Sequence, residues 1–345
     1  MDMYRSGNKR LNYIDAAKGI GILLVVLGHH IQGQPKLIQW IYSFHMPLFF
    51  IITGYLDHRN QAGHRQNADL RSYIRKKAAA LLWPYYTFSA VNFLWITAFY
   101  LVFGVQPEEP FSTILIKMGT TYGYHALWFL PAMFWASVFN HSVGKKAPRM
   151  TLVSALILGS CISIYLKHFD GAETLRYVLI YLCRVSTAVS FVTIGGMLGR
   201  YLDRMGPHQA VILASISFVV HFCLFSLNSQ PNMAVGRLSN IPLYYLIGCV
   251  GSVSIILLCK HVPFLSNNQF LAYASHNSLS IVALHMGFPI ELSWLVLGAT
   301  GLSAKLSIFW GSVIAVCIEC LILWGSIAVI RKYVPFLLRC PTKND

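Results

Sequence analysis

The stretch Ile14–His30, IDAAKGIGILLVVLGHH, decides how the rest of the chain is read. It holds one acid, Asp15, and one base, Lys18, and closes on two histidines. A second run containing FHMPLFFIITGYL at 44–56 follows after a short connection. A helix needs about 20 mostly apolar residues to cross a bilayer, so the two runs predict a membrane-embedded helical hairpin. With the first two placed at 14–33 and 38–56, further runs of this character lie at 79–104, 126–142, 150–166, 177–199, 209–226, 240–260, 267–290 and 306–330. The expected fold is all-α. It is a polytopic membrane bundle of about ten helices in one domain over 1–345, with a basic loop at 57–78 and a short basic tail at 331–345.

Composition agrees. Hydrophobic residues make up 56% of the 345 and charged residues only 11%, with a mean hydropathy of +0.56. Ordinary globular domains carry about 25% charged residues, so too little charge is present to cover a soluble surface. Disorder is excluded by the same numbers. The basic opening MDMYRSGNKRLNY is followed by no small-residue cleavage site, so the first run is expected to stay as a helix. None of the eight cysteines falls in a segment read as external, which argues against a disulfide framework. The C-x-x-C at Cys317 and Cys320 has no partner pair, and no metal site is expected.

The formal charge of +15 is distributed by side. With the N-terminus cytoplasmic, 19 of the 27 Lys and Arg fall in inner segments and 6 in outer ones. That asymmetry predicts both termini inside. Because the cations sit in short bursts between apolar runs, nucleic acid is not an expected partner; membrane lipids are.

Ionisable groups inside a membrane are costly, so each asks for a reason. Lys18 and His29 are eleven positions apart, and eleven residues at about 100° each come to within about 20° of three full turns. They share one helical stripe, Lys18 toward the inner end and His29 toward the outer. His45 comes seven residues into the return span that begins at 38, at a matching depth, and His285 in SHNSLSIVALHMGF comes to the same level. Three histidines at one depth suit proton transfer or acceptor binding. His30 is expected at the interface, His221 as a satisfied bundle histidine, Arg184 and Glu319 as a structural pair, and Asp15 as an ion-pair partner of Lys18. Tyr73-Ile74-Arg75-Lys76-Lys77 has two readings: a topological anchor with anionic lipid as its partner, or a site for a nucleotide-bearing donor's phosphates.

IDAAKGIGILLVVLGHH followed by FHMPLFFIITGYL resembles the opening of the acyltransferase-3 family of integral-membrane O-acyltransferases, in the style of its fucose 4-O-acetylase-like branch. The basic stretch running into LLWPYY, the WFL at Trp128–Leu130, FVTIGGMLGRY at 191–201 and NSLSIVALH at 277–285 follow in the family's order. The resemblance implies transfer of an acetyl group from cytoplasmic acetyl-CoA, as co-substrate without a bound cofactor, to a hydroxyl of a cell-envelope glycan or lipid-linked sugar. The expected setting is a bacterial cytoplasmic membrane. It maps the family's basic residue and histidine onto Lys18 and His29. Lys18 keeps the charge of the usual Arg without its bidentate fork, and Thr53-Gly54 stands where Ser-Gly is common. The expected catalytic residues are therefore His29, Lys18 and His45. Expected substrate-binding residues are His285, Asn277, Trp128 and Thr53, and expected donor-binding residues are Arg75, Lys76 and Lys77. A multi-pass transporter or flippase for a sugar or lipid-linked substrate is the alternative, in which Lys18, His29, Arg184 and Glu319 would line a pathway.

Overall fold

The computed structural model describes residues 11–338 except 32, 63–68, 105, 108 and 302–305. Arg5, Lys9, Arg10, Arg65, Lys305, Arg339 and Lys343, counted above for sidedness, lie outside the described residues. Every regular element among those described is helical. α1 (Asn12–His30) and α2 (Pro35–Ala62) form the expected hairpin, and α3 (Leu70–Lys77) passes through a π turn at Ala78–Leu82 into α4 (Trp83–Phe103). Next come α5 (Phe111–Gly119), α6 (Phe129–Phe139), α7 (Pro148–Lys167), α8 (Glu173–Arg204), α9 (Pro207–Leu224) and α10 (Ile241–His261). The chain closes with α11 (Pro263–Ser266), α12 (Gln269–His276), α13 (Ser278–Leu284), α14 (Phe288–Ala299) and α15 (Ile308–Tyr333).

Seven helical stretches are long and apolar enough to cross a membrane, and the bent pair α13–α14 makes an eighth. The expected count of about ten is larger by α1, which carries Asp15, Lys18, His29 and His30, and by α6, which is only 11 residues long. The segment read as one span over 267–290 is broken twice. α12 gives way to α13 at Asn277, and α13 and α14 meet at 67° around His285–Gly287. The segment read as a loop over 57–78 is helical at both ends, since α2 continues to Ala62 and α3 begins at Leu70.

The helices run back and forth between two ends. At one, Tyr13, Tyr55, Arg59 and Asp203 gather: Tyr55 donates to Asp203 at 2.5 Å and Arg59 pairs with it at 2.8 Å. Lys260 caps Leu202 O there at 2.7 Å, and Trp83 donates to Phe336 O at 2.7 Å. This end collects most of the described cations and is the basic end. The opposite end holds His29 and His30 of α1 and His45 of α2. The spine is the crossing of α2 and α8, where a Cβ on Gly54 would overlap the carbonyl oxygen of Val192. Small residues at a crossing let backbones approach where apolar burial gives little net gain over lipid.

Candidate active site

The candidate active site is a cavity of about 580 Å³, mouth included, lined by His29, Tyr42, His45, Trp128, Phe129 and Asn232 among others. α1 presents His29 in its last turn, half-buried, and the His29 ring packs 5.2 Å from that of His285. Tyr42 on α2 bridges the histidines. Its ring stands edge-on to His29 at 5.9 Å and to His45 at 5.0 Å, and its Oη lies 3.4 Å from His29 Nδ1. Tyr42 and His45 are three apart, so one helical face carries both.

Two of these rings are fixed by backbone. His45 Nδ1–H donates to Ile41 O at 2.7 Å. His285 Nδ1–H donates to Ile281 O at 2.9 Å and Val282 O at 3.1 Å. A carbonyl only accepts, so in each neutral ring the hydrogen sits on Nδ1 and the Nε2 lone pair points elsewhere. His285 Nε2 is buried without a partner among the described residues. Pro47 contributes by position: lacking an N–H, it cannot return a hydrogen bond to the Ser43 carbonyl, which loosens α2 beside His45. His29 has no carbonyl holding either nitrogen among the described residues. Its Nδ1 has instead the Tyr42 hydroxyl at 3.4 Å.

The roof of the cavity is held by Arg184. Its guanidinium is buried and donates from Nε to Ala234 O at 2.7 Å and from Nη1 to Tyr122 O at 2.7 Å, with Nη2 also on Ala234 O. Its Cζ lies 4.3 Å from the Tyr122 ring centre and 5.1 Å from that of Trp128. This corrects the expected pairing with Glu319. A buried cation needs its hydrogen bonds made, and the carbonyls of the 120–124 and 232–236 turns make them. Glu319 pairs with His30 at 2.7 Å, and His30 stacks on Trp294 at 5.1 Å. His30 is thus buried in the bundle, not at the interface. His221 is satisfied as expected, bonded to Ser43 at 2.8 Å. Asp15 accepts from Ser275 at 3.1 Å and lies 3.6 Å from His276.

The structure therefore brings His29, His45, His285 and Trp128 together and leaves others apart. Asn277 donates to Tyr273 O at 2.8 Å at the α12–α13 junction, and Thr53 donates to Phe49 O at 2.9 Å on its own helix; neither lines the histidine cavity. Lys18 lies eleven residues below His29 on the unbroken α1, hence on the same stripe and about 16 Å along the axis. Arg75 and Lys76 are exposed on α3, while Lys77 lies 3.9 Å from Asp57. Sequence reasoning missed Tyr42, Asn232 and His125, the last held in a left-handed conformation (φ +49°) with Nδ1 donating to Met286 O at 3.1 Å.

Two further cavities adjoin α2. A vestibule of about 640 Å³ at the histidine end is lined by Gln39, Tyr42, Gln230, Asn232 and Arg237, sharing Tyr42 and Asn232 with the histidine cavity. At the basic end, a cavity of about 420 Å³ lies against Gly54, His58, Asn140, Lys145 and Arg200. On the wall of the histidine cavity Phe49 packs on Phe129 at 5.6 Å, and the neighbouring Phe50 packs on the same ring at 5.2 Å. Among the described residues no group of three or more His, Cys, Asp or Glu is placed to hold a metal ion.

A helical bundle with seven to eight stretches long and apolar enough to cross a membrane, enclosing a histidine-lined cavity, defines the class as a multi-pass membrane protein. The family model described as an acyltransferase domain matches residues 11–330, and the chain belongs to that acyltransferase-3 family. Comparisons with curated proteins and with solved structures return no match.

Proposed function

We propose that this acyltransferase moves an acetyl group from acetyl-CoA, held from the cytoplasmic side, to a hydroxyl of a cell-envelope glycan or lipid-linked sugar on the other side of a bacterial cytoplasmic membrane. The basic end faces the cytoplasm, in keeping with the side that its cations prefer. The observation that carries the reading is that His29 lines a cavity sharing Tyr42 and Asn232 with the Gln39–Arg237 vestibule, beside two rings whose orientation the backbone fixes.

His29 takes the acceptor's proton as its oxygen attacks the thioester carbonyl. The C–O bond forms, the C–S bond breaks, and the leaving thiolate recovers a proton to give free CoA. General-base help of this kind is worth about 10²- to 10⁴-fold. Tyr42 orients His29, and His45 and His285 offer lone pairs to the acceptor's hydroxyls. The amides of Gln39 and Asn232 suit a polyhydroxylated ligand, and Lys18 places a cation on the donor's route. The test is mass spectrometry of the cell's surface glycans with wild-type protein and with an inserted, folded His29→Ala protein. Loss of one acetyl increment is expected; full acetylation by the variant would overturn the role.

A further inference from the structure

We propose that the cavity at the basic end is the phosphate-binding subsite of the acyl donor, with Lys145 and Arg200 as its cations and His58 as a hydrogen-bonding wall. The inference rests on the acyl-transfer reading above and moves the donor contacts off the Arg75–Lys76 face.

The geometry is specific. α2 ends on one side of the cavity with Gly54 and His58, α8 ends on another with Gly196 and Arg200, and the turn between α6 and α7 closes it with Gly144 and Lys145. The glycines bring the walls together: Gly54 and Gly196 face each other across the α2–α8 crossing, and Gly144 packs against the Asn140 side chain. Lys145 is held in place: its Nζ donates to His141 Nδ1 at 2.7 Å and lies 5.7 Å from the Tyr73 ring centre. Tyr73 is itself stacked on His141 at 3.8 Å and 11°. Lys77 Nζ lies over the same Tyr73 ring at 5.5 Å, so its charge falls beside that of Lys145. The Asp57 carboxylate lies 3.9 Å from Lys77 and accepts from Tyr73 at 3.2 Å. Lys145 and Lys77 thus share it, and Arg200 adds a further cation to the cavity wall. Burial pushes the Lys145 ammonium below the ordinary lysine range, against the pull of Asp57. A multiply charged anion entering here would relieve that cost through charge-assisted hydrogen bonds.

The shared chemistry is a phosphate ester, and two sources could supply it: the nucleotide end of acetyl-CoA or a lipid headgroup. The cavity commits to the first by its place. Phe49 on the histidine cavity and Gly54 on this one are five residues apart on α2, about 7.5 Å of helix, so a thioester arm anchored here points toward His29.

The experiment uses the full-length protein in liposomes. Wild type and a Lys145→Ala/Arg200→Ala double variant are assayed with acetyl-CoA and with acetyl-pantetheine, the same thioester without phosphates. Binding of adenosine 3′,5′-bisphosphate is measured by equilibrium dialysis. The expected result is a rise of about tenfold or more in KM for acetyl-CoA, a loss that disappears with acetyl-pantetheine, together with loss of bisphosphate binding. A Lys145→Arg/Arg200→Lys protein, which keeps the charges, should recover most of the binding. An unchanged acetyl-CoA KM in the double variant overturns the proposal. So does a larger effect from Arg75→Ala/Lys76→Ala, or bisphosphate binding that anionic-lipid vesicles abolish by competition. Bisphosphate binding by wild type that the double variant loses, with no acetyl transfer by wild type from either donor, would uphold the subsite and refute acetyl transfer.

Discussion

The two cavities along α2 are built from different materials. At the histidine end the functional groups are short, planar rings, two of them held by carbonyls of their own helices, and the roof is fixed by a buried arginine. At the basic end they are long, rotatable cations on walls thinned by glycine. Bond-making demands a proton acceptor within a few tenths of an ångström of its target. Holding a polyanion demands charge and tolerates movement. The difference teaches that rigidity and charge are separately placed in this molecule, and that each end fails in its own way when altered.

The sharpest break is His29→Ala, for which kcat falls about 10²- to 10⁴-fold while thermal unfolding is unchanged within a few degrees, read by CoA release and by a melting curve. Next comes Arg184→Leu. It strips hydrogen bonds from the carbonyls of Tyr122 and Ala234 at about 1–3 kcal/mol for each buried group left unpaired. A clearly lowered melting temperature is expected along with lost activity; a melt identical to wild type would show that the roof is not held this way. His45→Ala and His285→Ala should each cost about 10- to 100-fold in kcat/KM for the acceptor, because misplacing a reacting group by about 1 Å is worth that much. The smallest effect sharpens the contrast. Raising salt from about 0.05 to 0.5 M should raise KM for acetyl-CoA several-fold and barely move KM for a neutral acceptor, since screening acts on exposed charges. Equal salt dependence at both ends would erase the division.

Much of the histidine end was legible because helical arithmetic reaches it. The eleven-residue spacing from Lys18 to His29 and the shared depth of His45 and His285 follow from rise and rotation alone, and α1 is unbroken across the first of these. Tyr42 was within reach of the same reasoning, three residues before His45. What was not legible depends on contacts far apart in the chain. His30 finds Glu319 across 289 residues, and Arg184 binds backbone carbonyls that no side-chain pattern announces. The break of the 267–290 run had weak signals in Asn277 and Gly287, but apolar flanks hid them. The basic cavity was missed because the cations of Gly-Lys-Lys at 144–146 and Arg200 read as ordinary inner-loop charge beside the denser cluster at Arg75–Lys77. Lys145 and Arg200 each follow a glycine, Gly144 and Gly199, where the chain packs close against Asn140 and His58.

The ring packing of Phe49 and Phe50 on Phe129 has one more consequence. Chemistry that reaches across a bilayer invites an open bore, and an open bore would drain the ion gradients that the cell maintains. On the transfer path proposed above, Phe49 and Phe50 packed on Phe129 would be the seal, yielding only to something able to fill the gap it leaves. A tethered acyl arm would carry its own plug, so the same movement that delivers the cargo keeps water and protons out.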